Sequence, residues 1–165
     1  MHLTRLSLSN FRAFTRLDMD LPRPPKAVLL VGDNAQGKTS LLEAVYYLAT
    51  FTSFHAQSDR QLVNFMTAGE NPAVARLVAD FERSGRKRHL EIRIIQEAVG
   101  PSGSRMRKEI LLDGVKRNVH EAVGVFSAVI FLPQMMRIIE GGPEERRRYL
   151  NLALSQALPG YSEAL

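Results

Sequence analysis

The chain has 165 residues, 45% hydrophobic and 24% charged, with no cysteine. That fits one domain with a real core and excludes a disulfide framework or a thiolate metal site. The formal net charge is +5, but ten basic and four acidic side chains fall within 83–117, a net +6, so the excess belongs to one segment, a candidate polyanion-facing surface.

No apolar run approaches the length of a membrane span. Met1-His2-Leu3-Thr4-Arg5 lacks the apolar core of a signal peptide, so the cytoplasm is the expected compartment. In chain order, Leu3 to Ser9 alternates, with Thr4, Leu6 and Leu8 opposite Leu3, Arg5, Ser7 and Ser9. Leu17, Met19 and Leu21 alternate with Arg16, Asp18 and Asp20. These predict two strands paired through residues 10–14, the second ended by Pro22, Pro24 and Pro25. The apolar run 27–31 predicts a buried strand, and Leu41, Leu42, Val45, Leu48 and Ala49 predict a helix.

Further along, Ser58 to Val63 suggests a short capped helix and 69–72 a turn. Ala73 to Glu82 and His89 to Ile95 alternate around Ser84-Gly85-Arg86-Lys87-Arg88, a hairpin with a basic tip. Residues 100–104 read as a loop and Lys108 to Leu112 as a strand, followed by Asp113-Gly114, a strong two-residue hairpin signal. Ser127 to Leu132 is a second continuous apolar run, predicting a fully buried strand stopped by Pro133. Pro143, Glu144 and Glu145 open a helix running to Leu158 and broken by Pro159-Gly160. Tyr161 starts another helix that the chain does not finish, which reads as the N-terminal part of a longer protein.

Between the first buried run and the first long helix lies Gly32-Asp33-Asn34-Ala35-Gln36-Gly37-Lys38-Thr39, matching G-x-x-x-x-G-K-[ST]. Strand, glycine loop and helix make this a triphosphate site. Gly32 and Gly37 permit backbone angles that a side chain forbids, so consecutive N–H groups can turn inward. Lys38 can reach the β- and γ-phosphates, Thr39 can ligate Mg²⁺, and Ser40 can reach a phosphate further back. The expected ligands are therefore ATP and Mg²⁺.

Hydrolysis also needs a carboxylate for the metal and a group to position water. Leu112-Asp113-Gly114 comes close, but Asp-Gly there is better explained as a turn. Asp80 and Glu82 share the polar face of a strand, and the run ending at Leu132 carries no acid. The chain thus holds half of an ATPase site and needs partners to turn over. Two rival readings stay open: a self-contained P-loop kinase or hydrolase using Asp113, and a DNA-binding module indifferent to nucleotide. The four histidines, His2, His55, His89 and His120, show no ligand spacing.

Leu6-Ser7-Leu8-Ser9-Asn10-Phe11-Arg12 resembles the opening of the SMC-like ABC ATPases, where such a strand and turn precede the phosphate loop by about this distance. Within that group the chain is similar to the RecF family of DNA replication and repair proteins. The phosphate loop, Leu42 to Thr50 with Ser53-Phe54, and Phe131-Leu132-Pro133 followed by Gly141 to Leu150 carry the similarity. It covers nearly all of the chain. Gln134-Met135-Met136 stand where that family usually has Glu-Asp-Leu, and Asn151 where Asp is usual.

The resemblance implies an α/β fold: a P-loop core sheet of ABC/SMC-head type with an added antiparallel β layer, incomplete at the C-terminus. Residues 1–72 would carry the first strands, loop and helix, 73–120 the hairpins, and 121–165 the second buried strand and last long helix. It implies an ATP-dependent DNA-binding protein of recombinational repair, replication restart and the SOS response to damage. Two copies would sandwich two ATP molecules and load at single-strand/duplex junctions with RecO- and RecR-type mediators. The signature motif and Walker B strand would lie beyond Leu165.

By the same match Arg12 would approach the phosphates; its plainer role is a solvated turn residue. Arg86, Lys87, Arg88, Arg105, Arg107 and Lys108 are the candidate DNA contacts, expected at hairpin ends, where charge also serves solubility. Arg146-Arg147-Arg148 is expected to pair with Glu144 and Glu145 along its helix.

Overall fold

The opening alternation becomes an antiparallel hairpin of β1 (His2–Phe11) and β2 (Phe14–Asp20), with Leu6 opposite Met19 and Leu8 opposite Leu17. β3 (Ala73–Arg83), β4 (Arg86–Val99), β5 (Gly103–Leu112) and β6 (Val115–Arg117) extend it into one six-stranded sheet, ordered β2-β1-β3-β4-β5-β6, every pairing antiparallel. The structure, a computed structural model, describes residues 1–21, 27–67, 69–100, 103–158 and 160–165. The strand stop at Pro22, Pro24 and Pro25 and the helix break at Pro159 lie outside the described residues.

Turn chemistry sets the register. Ser84-Gly85 (φ 51° and 75°) and Asp113-Gly114 (φ 52° and 81°) both place two central residues in the left-handed region. That backbone matches the twist of flanking strands. The β3–β4 turn is tighter than its basic sequence suggested, so Arg86, Lys87 and Arg88 belong to the ladder. Gly103 and Ser104, read as loop, open β5 opposite Val99 and Ala98.

Period-two alternation gives the sheet two different faces. One carries Leu6, Leu8, Ala75, Leu77, Ala79, Leu90, Ile92 and Ile94, all buried. The helix α1 (Lys38–Thr50) contributes Ala44, Tyr47, Leu48 and Ala49 to the same core. Alanines on β3 leave room for the helix, and each buried Leu or Ile contributes about 1.5–3 kcal/mol. The other face is laced by ion pairs: Arg5 with Asp18, Arg76 and Arg93 with Glu91, and Arg107 with Glu97 and Glu109.

Two predicted elements do not form. Residues 27–31 and 127–132 are neither strands nor buried: Leu29, Val31, Val129 and Phe131 are 82–89% exposed. An apolar run becomes a buried strand only when neighbours pair both its edges and cover both faces, and the sheet here ends at β2 and β6. The elements after β6 are helices. α2 (Val119–Ala122) has a capping box of Asn118 and Glu121 that the sequence reading passed over. α3 (Arg137–Glu140), α4 (Pro143–Ala157) and α5 (Tyr161–Ala164) follow. α4 starts on Pro143 as expected, and Gln156 on it accepts a 3.0 Å bond from the Ala128 N–H, tying the second apolar run to this helix. Arg146 turns back to the carbonyls of Ile138 and Gly141.

Candidate nucleotide-binding site

α1 begins at Lys38, directly after the glycine loop. The Lys38 ammonium donates 2.6 Å bonds to the carbonyls of both Gly32 and Asp33, closing the loop over the start of the helix. Gly37 caps that helix in the left-handed region at φ 84°, and a Cβ on it would lie 2.8 Å from the Phe14 ring. The left-handed backbone angle favours glycine there, and any Cβ would have to push the Phe14 ring aside. Ala35 is also left-handed, at φ 64°. Asp33, Asn34, Ala35 and Gln36 form the exposed tip.

The first turn of α1 has neither a side-chain cap nor an acidic residue. Its N–H groups and positive dipole end are thus available to an anion, beside an ammonium already in place. The residues fit a triphosphate. The hydroxyl of Thr39 is the one this chain would offer to the accompanying Mg²⁺, with Ser40 beside it. Both line a cleft of about 630 Å³, whose other walls include Arg12, Glu43, Gln61, Val63 and Phe65.

Arg12 sits at φ 52° in the β1–β2 turn, where its own N–H donates 2.8 Å to the Leu62 carbonyl. Its guanidinium grips Glu43 of α1 through two 2.7 Å bonds and donates 3.1 Å to the Gln61 carbonyl. Glu43 is only 2% exposed, and the Ser53 hydroxyl donates to it as well. Arg12 therefore borders the phosphate loop, held by a carboxylate one helical turn beyond Thr39. Sequence reasoning assigned Glu43 no role. Its one signal is an acid among apolar helix positions, and only the fold shows which cation answers it.

Asp113 is committed elsewhere. Its carboxylate accepts 2.7 Å from Arg88 and 2.9 Å from the His89 N–H, fastening the β5–β6 turn. Register places this turn level with Leu90, Ala79 and Leu6, whereas Phe14, the ring against Gly37, pairs with Phe11. The separation is roughly 16 Å along the strands and about 19 Å across them. Asp113 does not reach the phosphate loop, which removes the self-contained reading built on it.

The candidate DNA residues divide. Arg86 and Lys87 project at the β3–β4 tip and make no ion pair among the described residues, while Arg88 holds Asp113. Arg105 and Arg107 lie on β5 at the sheet's opposite end, near the β4–β5 turn, across from Glu97 and Ile95. Arg107 is paired with Glu97 and Glu109. Lys108 points the other way, into the core side. It donates 2.8 Å to the Phe51 carbonyl at the end of α1, pairs with Asp59 at 3.1 Å and stands 4.8 Å from the centre of the Tyr47 ring. Strand alternation put it there: Lys108 shares a face with Ile94, its ladder partner. The basic segment is one block in sequence and at least two places in space.

A sheet packed on a phosphate-loop helix is the architecture of P-loop ATPases, and the comparisons with known proteins agree. The family described as AAA domain matches residues 5–153, so the chain belongs to that family. The curated relatives it matches are RecF proteins, in line with its sequence resemblance. DNA replication and repair protein RecF of Chloroflexus aggregans is 39% identical over the whole chain and 43% of the relative's length. The Herpetosiphon aurantiacus RecF is 37% identical over the whole chain and 44% of its own length. A solved structure of the recombination mediator protein RecF with ATP, in the RecFOR pathway, superposes with a TM-score of 0.71 at 28% identity, covering 94% of this chain and 39% of that one. An SMC ATPase from work on ATP-driven dimerisation and DNA-stimulated activation shares the fold, with a TM-score of 0.65 at 18% identity over 93% of this chain and 99% of that one. The chain thus spans less than half the length of the RecF relatives it matches. No helix among the described residues is long and apolar enough to cross a membrane.

Proposed function

We propose that this chain carries the Walker A half of the ATP site of a RecF-type protein of recombinational DNA repair and replication restart. The observation that carries the reading is the closed glycine loop: Lys38 at the start of α1, bonded to Gly32 and Asp33, beside helix N–H groups that no side chain caps. ATP enters with its phosphates on this loop and Mg²⁺ at Thr39. The triphosphate takes over the hydrogen bonds that Lys38 now gives to carbonyls, and electrostatic positioning of this kind is the chief demand of phosphoryl transfer.

Among the described residues the one carboxylate lining the cleft, Glu43, is neutralised by Arg12, so this chain binds nucleotide without supplying the acid for hydrolysis. The signature motif and Walker B acid come from outside these 165 residues. In a protein of the relatives' full length, two copies close on two ATP molecules. That dimer engages DNA at single-strand/duplex junctions with RecO- and RecR-type mediators, and Arg86 and Lys87 are the contacts this chain offers.

Titration of Mg-ATP into the protein tests the site. Lys38→Ala is expected to weaken binding at least 100-fold with the thermal melting point unchanged, because Lys38 makes its bonds only within the loop. Unchanged affinity in that variant overturns the assignment.

A further inference from the structure

We infer that Phe65 is the platform on which the base of the bound nucleotide stacks. The inference rests on the phosphate assignment above and goes beyond it by saying how the rest of the nucleotide is held. The cleft that holds Thr39 and Ser40 is also lined by Arg12, His55, Gln61, Val63 and Phe65. Its lining joins hydroxyl and cationic groups to apolar ones, the two kinds of partner that a nucleotide's phosphates and base call for.

Phe65 is otherwise unexplained. It is 79% exposed, while other aromatic rings on and near α1 are spent on packing: Tyr47 is fully buried, and Tyr46 and Phe54 meet edge to face at 5.4 Å. Phe65 also sits on a turn that is held firmly. Val63 bridges to Phe11, and the Asn64 N–H donates 2.8 Å to the Asn10 carbonyl. The Asn64 side chain accepts 2.9 Å from Met66 N–H, and the Thr67 hydroxyl donates 2.9 Å back to the Asn64 carbonyl. Asn64 itself is only 3% exposed. The same β1–β2 turn that carries Arg12 therefore fixes the ring's mount. An exposed ring on a fixed mount loses little freedom when a planar ligand settles on it.

Stacking has a consequence for selectivity. A π-face accepts any base, and the larger purines gain more from it than pyrimidines. The platform thus favours purines without choosing strongly between adenine and guanine.

The test compares Mg-ATP, Mg-GTP, Mg-CTP and tripolyphosphate by calorimetric titration into the protein, Phe65→Ala, Phe65→Tyr and Lys38→Ala. Phe65→Ala should weaken ATP and GTP by about tenfold, within the range measured for base–aromatic stacking. CTP should lose less, tripolyphosphate should change less than twofold, and Phe65→Tyr should retain ATP. Unchanged ATP affinity in Phe65→Ala overturns the platform. So does an equal loss of ATP and tripolyphosphate, which would mean that Phe65 shapes the loop. Lys38→Ala separates the two readings: it should remove tripolyphosphate as well as ATP, and if it does not, the phosphate site fails whatever Phe65 does. A protein that binds none of the four overturns both together.

Discussion

The two faces of the sheet are built by the same alternation and do opposite work. The core face is mainly apolar and is covered by α1, the helix that begins at the end of the phosphate loop. The open face is charged, yet its charges answer one another along and across the strands: Arg5 and Arg16 to Asp18, Arg76 and Arg93 to Glu91, Lys116 and Arg107 to Glu109. A basic residue on such a face is not automatically a free cation. The contrast separates residues that act on nucleotide through the fold from those that are left for a partner.

The largest effect belongs to the core face. Leu77 is fully buried on β3 in the core that α1 shares. Leu77→Ala should cost about 2–5 kcal/mol, a transfer loss plus a cavity. That is a large share of the roughly 5–15 kcal/mol of a typical domain. Urea unfolding should show a lower midpoint with an unchanged slope, and ATP binding should fail at the temperature where α1 loosens. A loss below 1 kcal/mol would mean that the helix is not held by this face.

Sequence patterning made the sheet and the site legible to different depths. The β1–β2 and β3–β4 hairpins, the Asp113-Gly114 turn, α1 and α4 all follow from local rules, because alternation, turn residues and helix signals act within a few positions. The glycine loop was legible for the same reason. What failed were readings that depended on distant partners. Residues 27–31 and 127–132 looked like the most buried strands because they are the most apolar, but burial is decided by what lies beside a strand. Lys108 looked like part of a basic tip because charge was counted along the chain, whereas β pairing turned it onto the Tyr47 ring. Glu43 and Phe65 were invisible for the converse reason: Arg12 is 31 residues from Glu43, and the cleft that gives Phe65 a use is assembled from three separate segments.

A middle-sized effect probes the open face. Glu91 is nearly buried there, bonded by Arg76 at 2.7 Å and by Arg93 at 2.6 Å. Chiefly the Arg76 guanidinium, then that of Arg93, lowers its pKa from 4.5 to about 2. The folded value lies below the unfolded one, so this stabilisation is complete above about pH 4.5 and is lost as pH falls toward 2. Both arginines are more than 40% exposed, so solvent screening limits the contribution to about 1–2 kcal/mol. Glu91→Gln should cost about that much at pH 7 and flatten the fall in stability between pH 4.5 and pH 2. An unchanged acid-unfolding curve would show that the carboxylate is not what ties β3 to β4 on this side.

The smallest effects on stability are the most telling for function. Arg107 is shared between Glu97 and Glu109, whereas Arg86 and Lys87 have no carboxylate partner among the described residues. Removing any of the three should change stability by less than about 0.5 kcal/mol, as for other exposed charges. DNA affinity should separate them. A cation already neutralised by carboxylates displaces few counterions from a phosphate backbone, while a free one displaces nearly its full share. Arg86→Ala with Lys87→Ala should therefore weaken binding to a single-strand/duplex junction and lower the slope of log affinity against log salt by roughly 1–2, whereas Arg107→Ala should leave both unchanged. Equal losses from the two variants would mean that the ion pairs of the open face break on binding, and that this face meets DNA directly. No loss from either would move the DNA surface off the sheet and away from these hairpins altogether.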